Sequence, residues 1–251
     1  MNWVLDLDGV VWLVDTPIPG AAAAVNHLRA AGEHLVFVTN NSYMTVAEYD
    51  EKLAHHGIES HGEVVTSAMA AASLIAAGER VLVCGGPGVV EAVEGREAVV
   101  VDSADVDVLL VGIHPDFNYD RMRLAATAVR NGARFIATND DATYPTPEGP
   151  IPGAGAILAA IETASGARAI VAGKPYPPMV DAVRARLPVA GGIVVGDRPD
   201  TDGRLAIALG YRFALVLTGV ITADKVDSVD PKPDEVAPDL ATLVERYSTS
   251  W

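Results

Sequence analysis

Two aspartates flank a single leucine in the stretch Trp3-Val4-Leu5-Asp6-Leu7-Asp8-Gly9-Val10-Val11. Among its first five residues all but Asp6 are apolar or aromatic, the signature of a strand buried on both faces. The carboxylates arrive where that strand should end, and Gly9 lets the backbone turn away. An unpaired carboxylate is costly to bury, so a buried strand that runs into Asp-x-Asp-Gly needs either open solvent or a cation. Magnesium takes oxygen ligands and suits carboxylates at a strand end. The plainer alternative is a solvated loop in which Asp caps the strand.

Further polar groups stand after other apolar runs. Thr39-Asn40-Asn41-Ser42 follows His34 to Val38, Gly173-Lys174-Pro175 follows Ala169 to Ala172, and Gly196-Asp197, with Asp202 beyond it, follows Gly192 to Val195. A phosphoryl-transfer site needs a nucleophile, a metal, a cation and hydrogen-bond donors. Asp6 can be the nucleophile, ionised at neutral pH and able to form an aspartyl-phosphate. Asp8 can serve as general acid and then as base. Asp6, Asp197 and the main-chain carbonyl of Asp8 can complete a magnesium shell, with Asp202 behind it bracing metal waters or Lys174. Lys174 balances charge, and Thr39, Asn40 and Asn41 offer donors to phosphoryl oxygens. Taken singly, each has a bland reading: Thr39 caps a strand, Lys174 is a surface lysine, and Asp197 and Asp202 begin a helix where carboxylates are favoured.

The elements that would position these groups alternate. Strand, helix and strand recur through residue 77, with helices at Ala21–Ala31, Thr45–His56 and Ser67–Ala77, and a Thr45/Glu48 capping box. The pattern implies a parallel sheet with right-handed crossovers, whose functional groups gather outside the carboxyl ends of the strands. Trp12 to Gly20, rich in Pro and Gly, could form a flap beside the carboxylates. A second alternation follows: strands at 80–83, 98–101, 106–111, 134–137 and 169–172, helices beginning at Val89 and spanning 119–131 and 154–165, and a loop carrying Pro145, Pro147, Pro150 and Pro152. The glycine-rich turn Cys84 to Gly88 could cradle a phosphate, but it lacks the Walker lysine and the dinucleotide spacing, and a tight turn explains it equally.

Composition narrows the function classes. The 251 residues carry 18 basic and 33 acidic side chains, a formal charge of −15. That balance argues against nucleic acid or an anionic membrane surface as partner, though not against a small anionic substrate in a metal-containing pocket. The single cysteine, Cys84, rules out an intrachain disulfide and reads as a packed thiol. A strand begins almost at the first residue, so no signal peptide is expected, and Ala68 to Ala77 is too short to span a bilayer. A cytoplasmic location is the expectation.

Asp6-x-Asp8-Gly9-Val10, Thr39-Asn40-Asn41, Gly173-Lys174-Pro175 and Gly196-Asp197…Thr201-Asp202 resemble, in order, the motifs of the haloacid dehalogenase (HAD) superfamily. Thr138-Asn139-Asp140-Asp141, Pro152 to Ala156 and Leu217-Thr218-Gly219-Val220 resemble its NagD-like subfamily IIA, the p-nitrophenyl phosphatase group. The resemblance implies an α/β fold: a Rossmann-like parallel-sheet core with an α/β cap domain inserted between the second and third motifs. The spacing agrees, with 33 residues from Asp6 to Thr39 but 135 from Thr39 to Lys174. The expected domains are a core of residues 1–76 and 173–251 and a cap of 77–172. The implied activity is a magnesium-dependent phosphatase acting on a small phosphorylated metabolite, with Asn139 and Asp141 as cap residues facing it. The cap could also offer a surface for association between copies of the chain.

The sequence departs from the pattern at Gly203, where an apolar residue is usual, and at Asp200, an added acid; both could alter metal affinity. Rivals are a phosphotransferase or mutase on the same fold, whose cap normally lies between the first and second motifs, and a phosphoacceptor or binding protein without turnover. Asp8 argues against dehalogenation, which does not use the second acid. The substrate itself is not legible in the sequence.

Overall fold

A computed structural model of the chain describes residues 1–144, 146, 149–187 and 191–248; Pro145 and Pro147 of the expected loop lie outside them. The chain packs into two compact units, the first of Met1–Thr39, Tyr49–Val65 and Val180–Trp251, the second of Asn40–Glu48 and Thr66–Met179. In chain order the elements are β1 (Asn2–Asp6), β2 (Trp12–Leu13), β3 (Thr16–Pro17), α1 (Ala21–Ala30), β4 (His34–Thr39), α2 (Val46–His55) and β5 (Val64–Thr66). Next come α3 (Ser67–Ala72), β6 (Arg80–Cys84), α4 (Pro87–Glu94), β7 (Val99–Val100), β8 (Val108–Val111), α5 (Tyr119–Arg130) and β9 (Arg134–Ala137). Then follow β10 (Thr143–Tyr144), β11 (Ile151–Pro152), α6 (Ala154–Ser165), β12 (Ile170–Val171) and α7 (Pro177–Arg184). The last elements are β13 (Gly192–Gly196), α8 (Arg204–Leu209), β14 (Arg212–Val216), β15 (Glu235–Ala237) and α9 (Leu240–Ser248).

The sheet of the first unit has the order β15-β14-β13-β1-β4-β5. From β15 through β4 the neighbouring strands run parallel. All of β1 is buried, as its apolar run requires of a central strand. From β1 the strand order proceeds to β4 on one side and to β13 on the other. That reversal makes the carboxyl ends of β1 and β13 the topological switch point, where open α/β sheets hold their ligands. Asp6 is the last residue of β1, and Asp197 is the first after β13.

The second unit has its own sheet, in the order β12-β9-β8-β6-β7, also parallel. Its core gathers Leu82, Leu109 and Phe135 against Ala125 of α5 and Leu158 and Ile161 of α6. Cys84 lies in this core, and burial pushes its thiol up to about 12, so it is inert at neutral pH.

The second unit is larger than the 77–172 insert read from the sequence: it also takes in 40–48, α3 and 173–179. Glycines explain how 40–48 joins it. Gly88 donates its N–H to the Tyr43 carbonyl at 2.8 Å. A Cβ on Gly88 would lie 2.1 Å from the Met44 carbonyl oxygen, and one on Gly86 2.3 Å from the Tyr43 ring. The run Cys84 to Gly88, weighed above as a phosphate cradle, is therefore occupied by the chain itself. α3 is shorter than expected, ending at Ala72 where Ser73 turns its hydroxyl back to the Ala70 carbonyl at 2.7 Å. Among the described residues no helix is long and apolar enough to cross a membrane.

Candidate active site

In the first unit the carboxylates of Asp6, Asp197 and Asp202 converge, each offering an oxygen within 4.8 Å of the others, and all three residues are buried. At such separations unscreened repulsion is on the order of 3 kcal/mol per pair even at an effective dielectric near 20. Three such pairs rival the stability of a whole domain. The cluster therefore calls for a cation or for protons, and an all-oxygen, all-carboxylate donor set is what magnesium or calcium takes. Asp202, expected behind the metal shell, contributes to this cluster directly. Asp8 is half-buried and its carboxylate is not part of the cluster; its backbone bridges to Trp12.

Backbone without side chains makes room for these acids. A Cβ on Gly9 would sit 2.6 Å from Cγ of Asp197, one on Gly219 1.9 Å from its Oδ2, and one on Gly196 2.2 Å from Cγ of Asp202. Gly9 also has φ +87°, a turn that L residues rarely adopt. The Val220 N–H donates to Asp197 Oδ2 at 2.7 Å, and the Arg198 N–H donates to Asp202 Oδ2 at 3.1 Å. The Thr218 hydroxyl donates to the Gly9 carbonyl, tying the turn after β14 to the turn after β1. Sequence reasoning linked Thr218 to Val220 only to a subfamily likeness. The signal was Gly219, three residues past the end of β14, where a side chain would have struck Asp197.

Asp202 lies in a π-helical turn, Pro199–Gly203, that leads into α8. The expected helix start at Asp202 is thus displaced by this wider turn. Gly203 packs where a Cβ would lie 2.7 Å from Pro231 and 3.0 Å from Phe213, which accounts for the missing side chain. Asp200 points away from the cluster: its side chain is exposed and pairs with Arg198 at 3.7 Å. Thr39 ends β4 and is 1% exposed, one residue beyond the Val38 that pairs with Asp6.

The remaining candidates belong to the second unit, where they form a network of their own. Lys174 follows β12 and is buried. Its main-chain N–H donates to Asn40 Oδ1 at 2.7 Å, and its carbonyl accepts from Asn40 Nδ2 at 3.2 Å. Asn40 Nδ2 also donates to Asp141 Oδ2 at 3.1 Å. The Asn40 carbonyl accepts from Asn139 Nδ2 and from Ser67 Oγ, both at 2.6 Å. Asn139 Oδ1 takes the Asp141 N–H at 3.1 Å. Asn41 accepts the Tyr43 N–H at 3.0 Å, an Asx turn. Ser67 was not singled out from the sequence; as the first residue of an alanine-rich helix it carries no local signal for this role.

The flap read at Trp12 to Gly20 contains a real hairpin, β2 against β3. Lys52 of α2 holds it: its ammonium donates to the Val14 carbonyl, pairs with Asp15 at 3.1 Å and lies 4.7 Å from the centre of the Trp12 ring. The His56 ring is 5.7 Å from Trp12, and partial burial, with His55 and Lys52 nearby, lowers its pKa.

Comparison with known proteins agrees with this geometry. A haloacid dehalogenase-like hydrolase family matches residues 3–98, and a HAD-hydrolase-like family matches residues 171–243. An acid sugar phosphatase of Staphylococcus haemolyticus is 34% identical over 98% of this chain and 95% of its own length. The p-nitrophenyl phosphatase from Archaeoglobus fulgidus superposes with a TM-score of 0.92 at 32% identity, covering 98% of both chains. A glycerol phosphate phosphatase from Mycobacterium tuberculosis, solved in complex with magnesium, gives 0.89 at 35% identity over 96% of this chain and 75% of that one. With both of its ends matched by hydrolase families and its length shared with these enzymes, the chain belongs to the haloacid dehalogenase-like hydrolases, in their NagD-like, p-nitrophenyl phosphatase branch, and is a phosphatase.

Proposed function

We propose that the protein is a magnesium-dependent phosphatase of small phosphorylated metabolites that works through an aspartyl-phosphate on Asp6. The observation that carries this reading is the buried set of Asp6, Asp197 and Asp202 at the switch point of the first sheet. These residues, with the Asp8 carbonyl, would hold the ion, which supplies charge neutralisation for the phosphoryl oxygens. Asp6 attacks phosphorus; the bond to the leaving oxygen breaks, and Asp8 gives that oxygen a proton. Asp8 then takes a proton from the water that hydrolyses the acyl phosphate, releasing inorganic phosphate and restoring Asp6. Thr39 and the main chain around Asn41 donate hydrogen bonds to the phosphoryl oxygens, and Lys174 balances their charge. We assign leaving-group selection to residues 77–172, with Asp141 nearest in role to the substrate, and a cytoplasmic setting without nucleic-acid or membrane partners. The names of the relatives point to sugar and glycerol phosphates as the first compounds to screen.

The test is phosphate release from p-nitrophenyl phosphate with magnesium and with EDTA, for the wild type and Asp6→Asn. Turnover should require magnesium and fall by at least about 10³-fold in Asp6→Asn, as expected when a nucleophile is lost. Turnover that survives the substitution would sink the nucleophile assignment.

A further inference from the structure

Asn40 was read from the sequence as a ligand of the phosphoryl group. Its hydrogen bonds assign it elsewhere. A side-chain amide has two N–H donors and one carbonyl acceptor. Oδ1 takes the Lys174 N–H at 2.7 Å, a bond that only the oxygen can accept, which fixes the orientation of the amide. Nδ2 then directs its hydrogens to the Lys174 carbonyl at 3.2 Å and to Asp141 Oδ2 at 3.1 Å. Both donors are engaged, and the residue is 8% exposed. The amide thus pairs with both main-chain polar groups of Lys174, as one strand residue pairs with another.

The surroundings are built for this pairing. Gly173 precedes Lys174, and a Cβ there would lie 2.5 Å from Asn40 Oδ1 and 2.5 Å from the Thr138 carbonyl oxygen. The Asn40 carbonyl is itself fixed by Asn139 and Ser67. We propose that Asn40 is a positioning residue: it fixes the main chain of Lys174, so that the ammonium on that side chain is held for the phosphoryl group, and does not bind phosphate through its own amide. The proposal rests on the phosphatase reading for the role of Lys174, while the brace itself rests on the bonds above.

The test is a double-mutant cycle read by the affinity for inorganic phosphate in the presence of magnesium, measured calorimetrically. The proteins are the wild type, Asn40→Ala, Lys174→Met and the double variant, each checked for folding by circular dichroism. Asn40→Ala should weaken phosphate binding about tenfold in the wild-type background, within the usual range for coupled neighbours. It should have no effect once Lys174 is Met. Losses that multiply in the double variant, or no loss in Asn40→Ala alone, overturn the brace. If Asn40→Ala does not fold, Asn40→Ser takes its place in the same cycle. Turnover of p-nitrophenyl phosphate by the wild type separates the two readings. Coupled phosphate binding without turnover overturns the phosphatase mechanism and leaves the brace standing; turnover with multiplying losses does the reverse.

Discussion

Asp197 is held where folding alone would not put it. It shares a buried site with Asp6 and Asp202, and it fits only because Gly9 and Gly219 lack side chains. Without a cation the cluster is a source of repulsion, a cost that active sites commonly carry. Replacing Asp197 by Asn removes a charge and keeps an oxygen for the Val220 N–H. In EDTA, Asp197→Asn should therefore be more stable than the wild type by about 1–2 kcal/mol, or several degrees in melting temperature for a chain of this size. Magnesium should raise the melting temperature of the wild type and leave that of the variant nearly unchanged. Thermal melts of both proteins in EDTA and in magnesium check this; a variant less stable in EDTA would mean that the acids are not in repulsion. Asp6 and Asp197 were legible as chemistry because each ends an apolar run, where a charge needs a reason. The room that Gly219 leaves was not, since Gly219 and Asp197 meet only in the folded sheet.

At the scale of elements, the hairpin of β2 and β3 depends on α2 more than on itself. A pair of two-residue strands is marginal alone, and Val14 between them adopts φ 53°, unfavourable for a branched side chain. Lys52 offsets this by binding the Val14 carbonyl and Asp15 while lying over Trp12. Because Asp8 bridges to Trp12 and the Gly9 N–H donates to the Trp12 carbonyl at 2.7 Å, the hairpin continues the turn that carries Asp8. Lys52→Met should cost about 1–2 kcal/mol of stability, the sum of a charged hydrogen bond and a cation–π contact. Urea unfolding would show it, and an unchanged midpoint would mean that the hairpin stands without the lysine. Other features of α2 were readable in advance. Thr45 and Glu48 form the expected capping box, with the Thr45 N–H on Glu48 at 2.8 Å and the Glu48 N–H on Thr45 at 3.2 Å. Such motifs are local and leave a sequence signal, whereas the reach of Lys52 to residues 14 and 15 is set by the fold.

For the whole molecule, the balance of charge and burial sets how acid acts on stability. The chain carries a formal charge of −15, so moderate acidification should by itself relieve repulsion. Two half-buried histidines work in the opposite direction. Burial, with Arg121 beside it, lowers the pKa of His114 below its ordinary 6.5, although Asp116 opposes the shift. The pKa of His56 is lowered from the same value by burial and by His55 and Lys52, against Asp15. A histidine whose folded pKa is depressed binds its proton more readily in the unfolded chain. Its contribution to stability is complete above the unfolded value and is lost as pH falls through the folded one. Between about pH 7.5 and about pH 5.5, a range in which most carboxylates remain ionised, the two histidines should therefore lower the melting temperature of the wild type. The variant His56→Gln/His114→Gln should lack this loss and melt higher, relative to the wild type, at the lower pH than at the higher. An equal change in both proteins would assign the acid response to groups other than these two histidines.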